Sequence, residues 1–186
     1  MAIILASASP RRKELLSFIT ENFTVRVSDA DETTDPSLSA EETVRALAVV
    51  KGEAVAESFP SDTVISADTV VVLDGKILGK PHSREEAFSM LSALSGRSHT
   101  VYTGVCIISN DKKICFAEAT DVTFADLSED EINAYINSGE PFDKAGAYGI
   151  QGKGSIMITS IKGDYYNVMG LPVARLYKTL KESALI

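Results

Sequence analysis

The stretch Val64-Ile-Ser-Ala-Asp-Thr-Val-Val-Val-Leu73 constrains the fold more than any other part of the chain. A run dominated by β-branched and aliphatic side chains reads as a largely buried strand, or as a strand broken by a bulge. Asp68 stands in its middle, where an ionised carboxylate is costly unless a cation or hydrogen bonds hold it. Two readings are open: the carboxylate bonds its own backbone at a bulge, or it serves chemistry.

Around that strand, 186 residues suffice for one α/β domain over 1–186, drawn as two lobes around a cleft with no linker. A net charge of -8 argues against a general nucleic-acid binder or a binder of acidic membranes, so any anion site must be local. The apolar start Met1-Ala-Ile-Ile-Leu-Ala lacks a basic leader and is too short for a signal core, and no later run approaches a membrane span. A soluble cytoplasmic protein is the expectation. Cys106 and Cys115 are too few for a disulfide scaffold or a zinc site. A two-residue turn at Asn110-Asp111 would set them opposite each other at a non-hydrogen-bonded position, with Cα atoms about 4.5 Å apart. Reduced core thiols are expected.

The first predicted helix departs from electrostatic custom. A short strand over 3–5 leads to Ser9 as N-cap and Pro10 at the first helical position, yet the first turn carries Arg11, Arg12 and Lys13. Cations there oppose the helix dipole. Beside free amides and the hydroxyls of Ser7 and Ser9 they suit an anion such as phosphate; the alternative is that they splay into water.

A second strand is predicted over 23–27, then an acidic loop with Asp29, Asp31 and Glu32, then a helix capped by Ser39 and Glu42 and running to about 58. Lys51 interrupts that helix's apolar stripe of Val44, Leu47, Ala48 and Val55. It either snorkels or carries an ammonium into a cleft. Asp74-Gly75 marks a hairpin turn into a strand over 76–78, and Ser83 with Glu86 forms a capping box for a helix ended by Gly96. Residues 99–109 and 113–124 are expected to pair as long antiparallel strands, and Ser128 with Glu131 caps a further helix. His82 and His99 lack metal-site spacing and are expected at the surface or in turns. Residues 156–161 and 165–168 are expected to form a hairpin about Gly163-Asp164, before Gly170-Leu-Pro172 opens a C-terminal amphipathic helix.

Asp143-Lys-Ala-Gly-Ala-Tyr-Gly-Ile-Gln-Gly-Lys-Gly154 has the most unusual composition. Its glycines permit positive φ and close backbone approach to a ligand. Aligned on Gly152-Lys153 it is no Walker A loop, since Ala147 and Gly154 occupy the places of the first glycine and the final Ser/Thr.

Leu5-Ala-Ser-Ala-Ser-Pro-Arg-Arg-Lys-Glu-Leu-Leu16, Ser66-Ala-Asp-Thr69, Gly79-Lys-Pro81, Leu94-Ser-Gly96, Asp143-Lys-Ala-Gly-Ala-Tyr-Gly-Ile-Gln-Gly152 and Gly170-Leu-Pro172 together resemble the Maf family of nucleoside triphosphate pyrophosphatases, in order and over nearly the whole chain. The resemblance implies an elongated mixed α/β sheet with flanking helices, of the inosine-triphosphate-pyrophosphatase (Maf/Ham1) type. It implies hydrolysis of a nucleoside triphosphate to the monophosphate and pyrophosphate with a divalent metal, Mg²⁺ or Mn²⁺, and a homodimer. Asp68 becomes the proton acceptor, with Ser7, Arg12, Glu32, Lys51 and Lys80 in the polar site; Glu32 and Asp68 are the expected metal ligands. Arg11, Thr69 and Gln151 match the branch similar to dTTP/UTP pyrophosphatases. Neutral thymine or uracil, with one N–H and two carbonyls, suits amide and hydroxyl partners. Modified pyrimidine nucleotides are further expected substrates. Two rival readings stay open: a non-catalytic nucleotide-binding regulator of septum formation, and a phosphatase that releases orthophosphate stepwise.

Overall fold

The computed structural model describes residues 2–110 and 112–186. Seven strands form one mixed sheet: β1 (Ile3–Leu5), β2 (Phe23–Val25), β3 (Thr63–Leu73), β4 (Lys76–Leu78), β5 (Ser98–Ser109), β6 (Lys112–Phe124) and β7 (Ile158–Lys162). Their order is β2-β1-β3-β5-β6-β7, with β4 paired to β3. β1 runs parallel to both β2 and β3, whereas β4 pairs antiparallel to β3 and β7 antiparallel to β6. The helices are α1 (Pro10–Ser17), α2 (Ala40–Ala56), α3 (Arg84–Leu94), α4 (Glu129–Asn137), α5 (Tyr165–Met169) and α6 (Val173–Glu182).

The chain divides into two compact units. The first holds residues up to Thr69, Thr103–Glu118 and Gly170–Ile186; the second holds Val70–Tyr102 and Ala119–Met169. In the first, Ile4, Ala6, Val55 and Val64 are buried together, with Phe59 and Ile108 against them. The second has a core built on Val71, Leu73, Leu91, Leu94, Val122, Phe124, Ile132, Tyr135 and Tyr148.

Local chemistry explains most boundaries. Ser39 and Glu42 close a reciprocal capping box on α2, as do Ser128 and Glu131 on α4. Ser83 caps α3 by accepting from the Glu86 amide, but the Glu86 carboxylate accepts from His82 N at 2.7 Å, so the expected box is only half formed. Asp74 (φ 50°) and Gly75 (φ 75°) make the tight turn between β3 and β4. The expected Asn110-Asp111 turn includes residue 111, which lies outside the described residues.

Three expectations are overturned. β2 ends at Val25 rather than residue 27, because Arg26 N already reaches the last residue of β1 (Leu5 O, 3.0 Å) and Val27 lies exposed beyond it. Residues 165–169 are helical, so no hairpin forms about Gly163-Asp164. Asp164 Oδ1 accepts from Tyr166 N at 2.8 Å, an Asx contact that starts a turn. Asn167, fully buried, then donates from Nδ2 to Val101 O and Thr120 Oγ1, both at 3.0 Å. His99, expected at the surface, is only 4% exposed on β5. Its Nε2 lies 2.7 Å from Tyr148 Oη, and Phe124 and Tyr148 meet its ring edge-on at 5.1 and 5.2 Å. Burial depresses its pKa to about 4, against a smaller opposing pull from Asp121.

The glycine-rich stretch of the second unit is a series of short 3-10 turns over Glu140–Asp143, Ala145–Ala147 and Gly152–Met157. It is not a loose surface loop, for Tyr148 and Ile150 are buried. At Gly146 (φ 68°) an added Cβ would stand 3.0 Å from the Val71 side chain, so the turn needs a residue without one.

Candidate active site

The run around Asp68 is one continuous strand, and the Asp68 carboxylate does not turn back on its own backbone. It accepts from Lys51 Nζ, Oδ1 to Nζ 2.7 Å, and both side chains are largely buried. Two sequence features bring the pair together. On β3, Ser66 and Asp68 are two apart and share a face. On α2, Ala48 and Lys51 are three apart and share a face. Ser66 Oγ donates to Ala48 O at 2.5 Å, and one step along Lys51 meets Asp68. The helix can lie this close because Gly52 is buried against Ser66: a Cβ there would stand 2.7 Å from Ser66 Oγ. Lys51 therefore does not simply snorkel into solvent. Its ammonium also contacts Glu32 Oε2 at 2.9 Å, so one cation spans the two carboxylates expected to share a metal. Glu32 is the exposed member of the trio.

Thr69 faces the other way and meets Arg12. The Arg12 guanidinium does not splay into water: Nε donates to Gly170 O at 2.8 Å, Nη1 to Ser7 Oγ at 3.2 Å and Nη2 to Thr69 Oγ1 at 3.0 Å. Its three acceptors are neutral oxygens. Three of its five N–H donors are thus held, which fixes the plane of the fork and leaves two over among the described residues. Burial pulls the Arg12 pKa below its ordinary value, an effect Asp68 and Glu32 oppose and Arg11 reinforces. A cation desolvated in this way and held by uncharged partners retains much of its field for an incoming anion.

Ser7 and Ser9 complete this corner. β1 delivers the chain beside β3, with Ala6 N bonded to Ile65 O at 2.8 Å. Ser9 N donates to Ser7 Oγ at 3.3 Å, and Ser9 Oγ caps α1 at Arg12 N. Ser7 Oγ therefore accepts from both Ser9 and Arg12, and its own proton is the donor it can offer a ligand. Behind Thr69 stands Thr103 of β5, fully buried, with the two hydroxyl oxygens 2.9 Å apart.

The structure thus joins Ser7, Arg12 and Thr69 in one network and Glu32, Lys51 and Asp68 in a second, on opposite faces of one residue step of β3. Arg11 is half-buried in the same first turn of α1. Lys80 and Gln151 belong to the second unit. There Lys80 is exposed just after β4, and Gln151 is half-buried at the start of the last 3-10 turn. Thr103 and the Gly170 carbonyl were not expected at the site from the sequence. Thr103 had a signal: on β5 the odd positions His99, Val101, Thr103, Val105, Ile107 and Ser109 are all buried, so a hydroxyl or imidazole in that row must find a partner inside.

As a metal site, the two carboxylates offer hard oxygen donors within 2.9 Å of one shared nitrogen. Among the described residues no group of three or more His, Cys, Asp or Glu side chains could hold an ion. Asp68 and Glu32 are oxygen donors of the kind Mg²⁺ takes, and Lys51 Nζ stands between them. No helix among the described residues is long and apolar enough to cross a membrane. Cys106 and Cys115 are both free thiols, with sulfur atoms 2.8 Å apart.

Residues 2–183 match the family described as Maf-like protein. The chain is 53% identical over 180 residues to proteins named dTTP/UTP pyrophosphatase from Bacillus cereus, Bacillus mycoides and Bacillus anthracis, covering 97% of this chain and 94% of each relative. Among solved structures it resembles the Ham1 protein of Staphylococcus aureus, with a TM-score of 0.58 over 98% of this chain and 97% of that one. At 18% identity that likeness speaks to the fold alone.

Proposed function

The chain belongs to the Maf family, and from that premise we propose that it hydrolyses dTTP and UTP to the monophosphate and pyrophosphate. The observation that carries the reading is the buried Lys51–Asp68 pair set one residue from an Arg12 fork with two N–H donors to spare. A triphosphate needs local positive charge in a protein whose net charge is -8; Arg11, Arg12 and Lys13 in the first turn of α1 support that reading, while Lys51 starts out paired with Asp68 and Glu32.

In the proposed reaction Arg12 and the Ser7 hydroxyl grip phosphate oxygens. Lys51 turns from its carboxylates toward the developing charge. Asp68 takes the proton of a water that attacks the α-phosphorus, and pyrophosphate leaves. Asp68 and Glu32 would hold Mg²⁺ or Mn²⁺, whose part when bound is to neutralise phosphate charge and acidify water. Arg11, Thr69 and Gln151 read the base, and Lys80 adds a phosphate contact; Lys80 and Gln151 are proposed from the resemblance alone. We further propose a cytoplasmic homodimer that also removes modified pyrimidine nucleotides.

A product assay tests the reading. Purified protein given dTTP or UTP with Mg²⁺ or Mn²⁺ should release pyrophosphate, and a chelator should stop it. Orthophosphate released one group at a time would indicate the phosphatase. Tight nucleotide binding without any product would favour the non-catalytic regulator of septum formation.

A further inference from the structure

Thr69 cannot by itself choose what it offers a base. A hydroxyl has one proton and two lone pairs, so its face toward a ligand depends on how its other partners use them. Arg12 Nη2 can only donate, and at 3.0 Å it fills one lone pair of Thr69 Oγ1. Thr103 Oγ1, at 2.9 Å, takes either the second lone pair or the proton. If Thr103 donates, Thr69 is left with a proton to give; if it accepts, Thr69 is left with a lone pair. Thr103 is fully buried on β5, so bulk water does not reorient it.

We propose that Thr103 is a positioning residue that fixes the polarity of the Thr69 hydroxyl and through it discriminates uracil from cytosine. The proposal rests on the reading that Thr69 faces the base. Uracil presents an N–H between two carbonyls; cytosine presents an amino group beside a bare ring nitrogen. At ring positions 3 and 4 these edges are opposite in donor and acceptor order, while both share the 2-carbonyl, so the discrimination requires that Thr69 meet position 3 or 4. A hydroxyl locked in one sense fits one edge and is left unpaired against the other, whereas a hydroxyl free to turn fits both. Gly170 shares in the arrangement: its carbonyl holds Arg12 Nε, and a Cβ at that position (φ 113°) would stand 3.4 Å from Thr69 Oγ1 and 3.5 Å from Arg12 Nε.

The test compares UTP with CTP in the wild type, Thr103→Val, which keeps the shape and removes the hydroxyl, and Thr103→Ser, which keeps the hydroxyl. The ratio of kcat/KM for UTP over CTP should fall about tenfold in Thr103→Val, mostly through KM, and return in Thr103→Ser. In Thr69→Val the further change Thr103→Val should leave the ratio where it stands, since a residue acting through another adds nothing once that one is gone. Should Thr103→Val not fold, Thr103→Ala reads the same ratio. An unchanged ratio, or equal losses for UTP and CTP with a lowered melting temperature that Thr103→Ser does not repair, overturns the proposal and leaves the pyrophosphatase reading intact. A wild type that turns over both alike also overturns the proposal alone, whereas one that turns over neither nucleotide overturns the two together.

Discussion

Each unit buries a polar pair, and the two pairs are built for different ends. In the first unit Lys51 and Asp68 are charged, largely but not wholly covered, and share Glu32 at the surface. In the second unit His99 and Tyr148 form a neutral pair enclosed by Phe124, and His99 Nδ1 has no partner among the described residues. Charged groups that keep an open side can exchange partners with a ligand; neutral groups sealed among aromatic rings can only hold the core together. The contrast teaches that burial of a polar side chain is no sign of function until its charge and its access to solvent are known.

Substitutions on the two sides should separate activity from stability. Asp68→Asn carries the largest expected effect: pyrophosphate release should fall roughly 10²–10⁴-fold with nucleotide binding retained. Activity close to wild type in that variant would remove Asp68 from catalysis. Arg12→Lys should lower kcat/KM roughly 10²-fold, because a lysine cannot hold Gly170, Ser7 and Thr69 with one planar fork. If the lysine variant keeps its kcat/KM, positive charge alone suffices and the fork is irrelevant.

The second pair should answer to pH and leave catalysis alone. Above pH 6.5 His99 is neutral in both folded and unfolded chains. Below it the unfolded chain takes up a proton that the folded chain refuses until about pH 4. The unfolded state thus binds more protons across that window, and stability falls as pH falls through it, by at most about 3 kcal/mol. Urea melts at pH 7 and pH 5 should show this slope in the wild type and lose it in His99→Phe. Tyr148→Phe should destabilise by about 1 kcal/mol and leave kcat unchanged at neutral pH; a drop in kcat without loss of stability would contradict the division drawn here. The smallest effect concerns the thiols. Two should titrate in denaturant without reductant, and in the native protein Cys115 should react first, because Cys106 is buried and burial raises its pKa.

Much of this is legible in the order of residues alone. A carboxylate at Asp68 inside an apolar run, Lys51 interrupting an apolar helical stripe, and cations placed where a helix dipole rejects them are each local conflicts. A local conflict is visible in a window of a few residues. The strand over 64–73, the Asp74-Gly75 turn and the capped starts of α2 and α4 were readable for the same reason. The α5 region misled because Tyr165 and Tyr166 suggest a strand, while Asn167, the residue that ties the segment down, finds its partners on β5 and β6.

Taken alone, then, the order of residues determined that Asp68 and Lys51 each needed a partner and that Arg12 was misplaced for an ordinary helix start. Only the packed chain decided that Asp68 and Lys51 are each other's partner, that a glycine carbonyl 158 positions away holds Arg12, and that Thr103 stands behind Thr69. Propensity and periodicity act over one or two turns of chain, but a hydrogen bond forms wherever folding sets two atoms about 3 Å apart, at any separation in sequence.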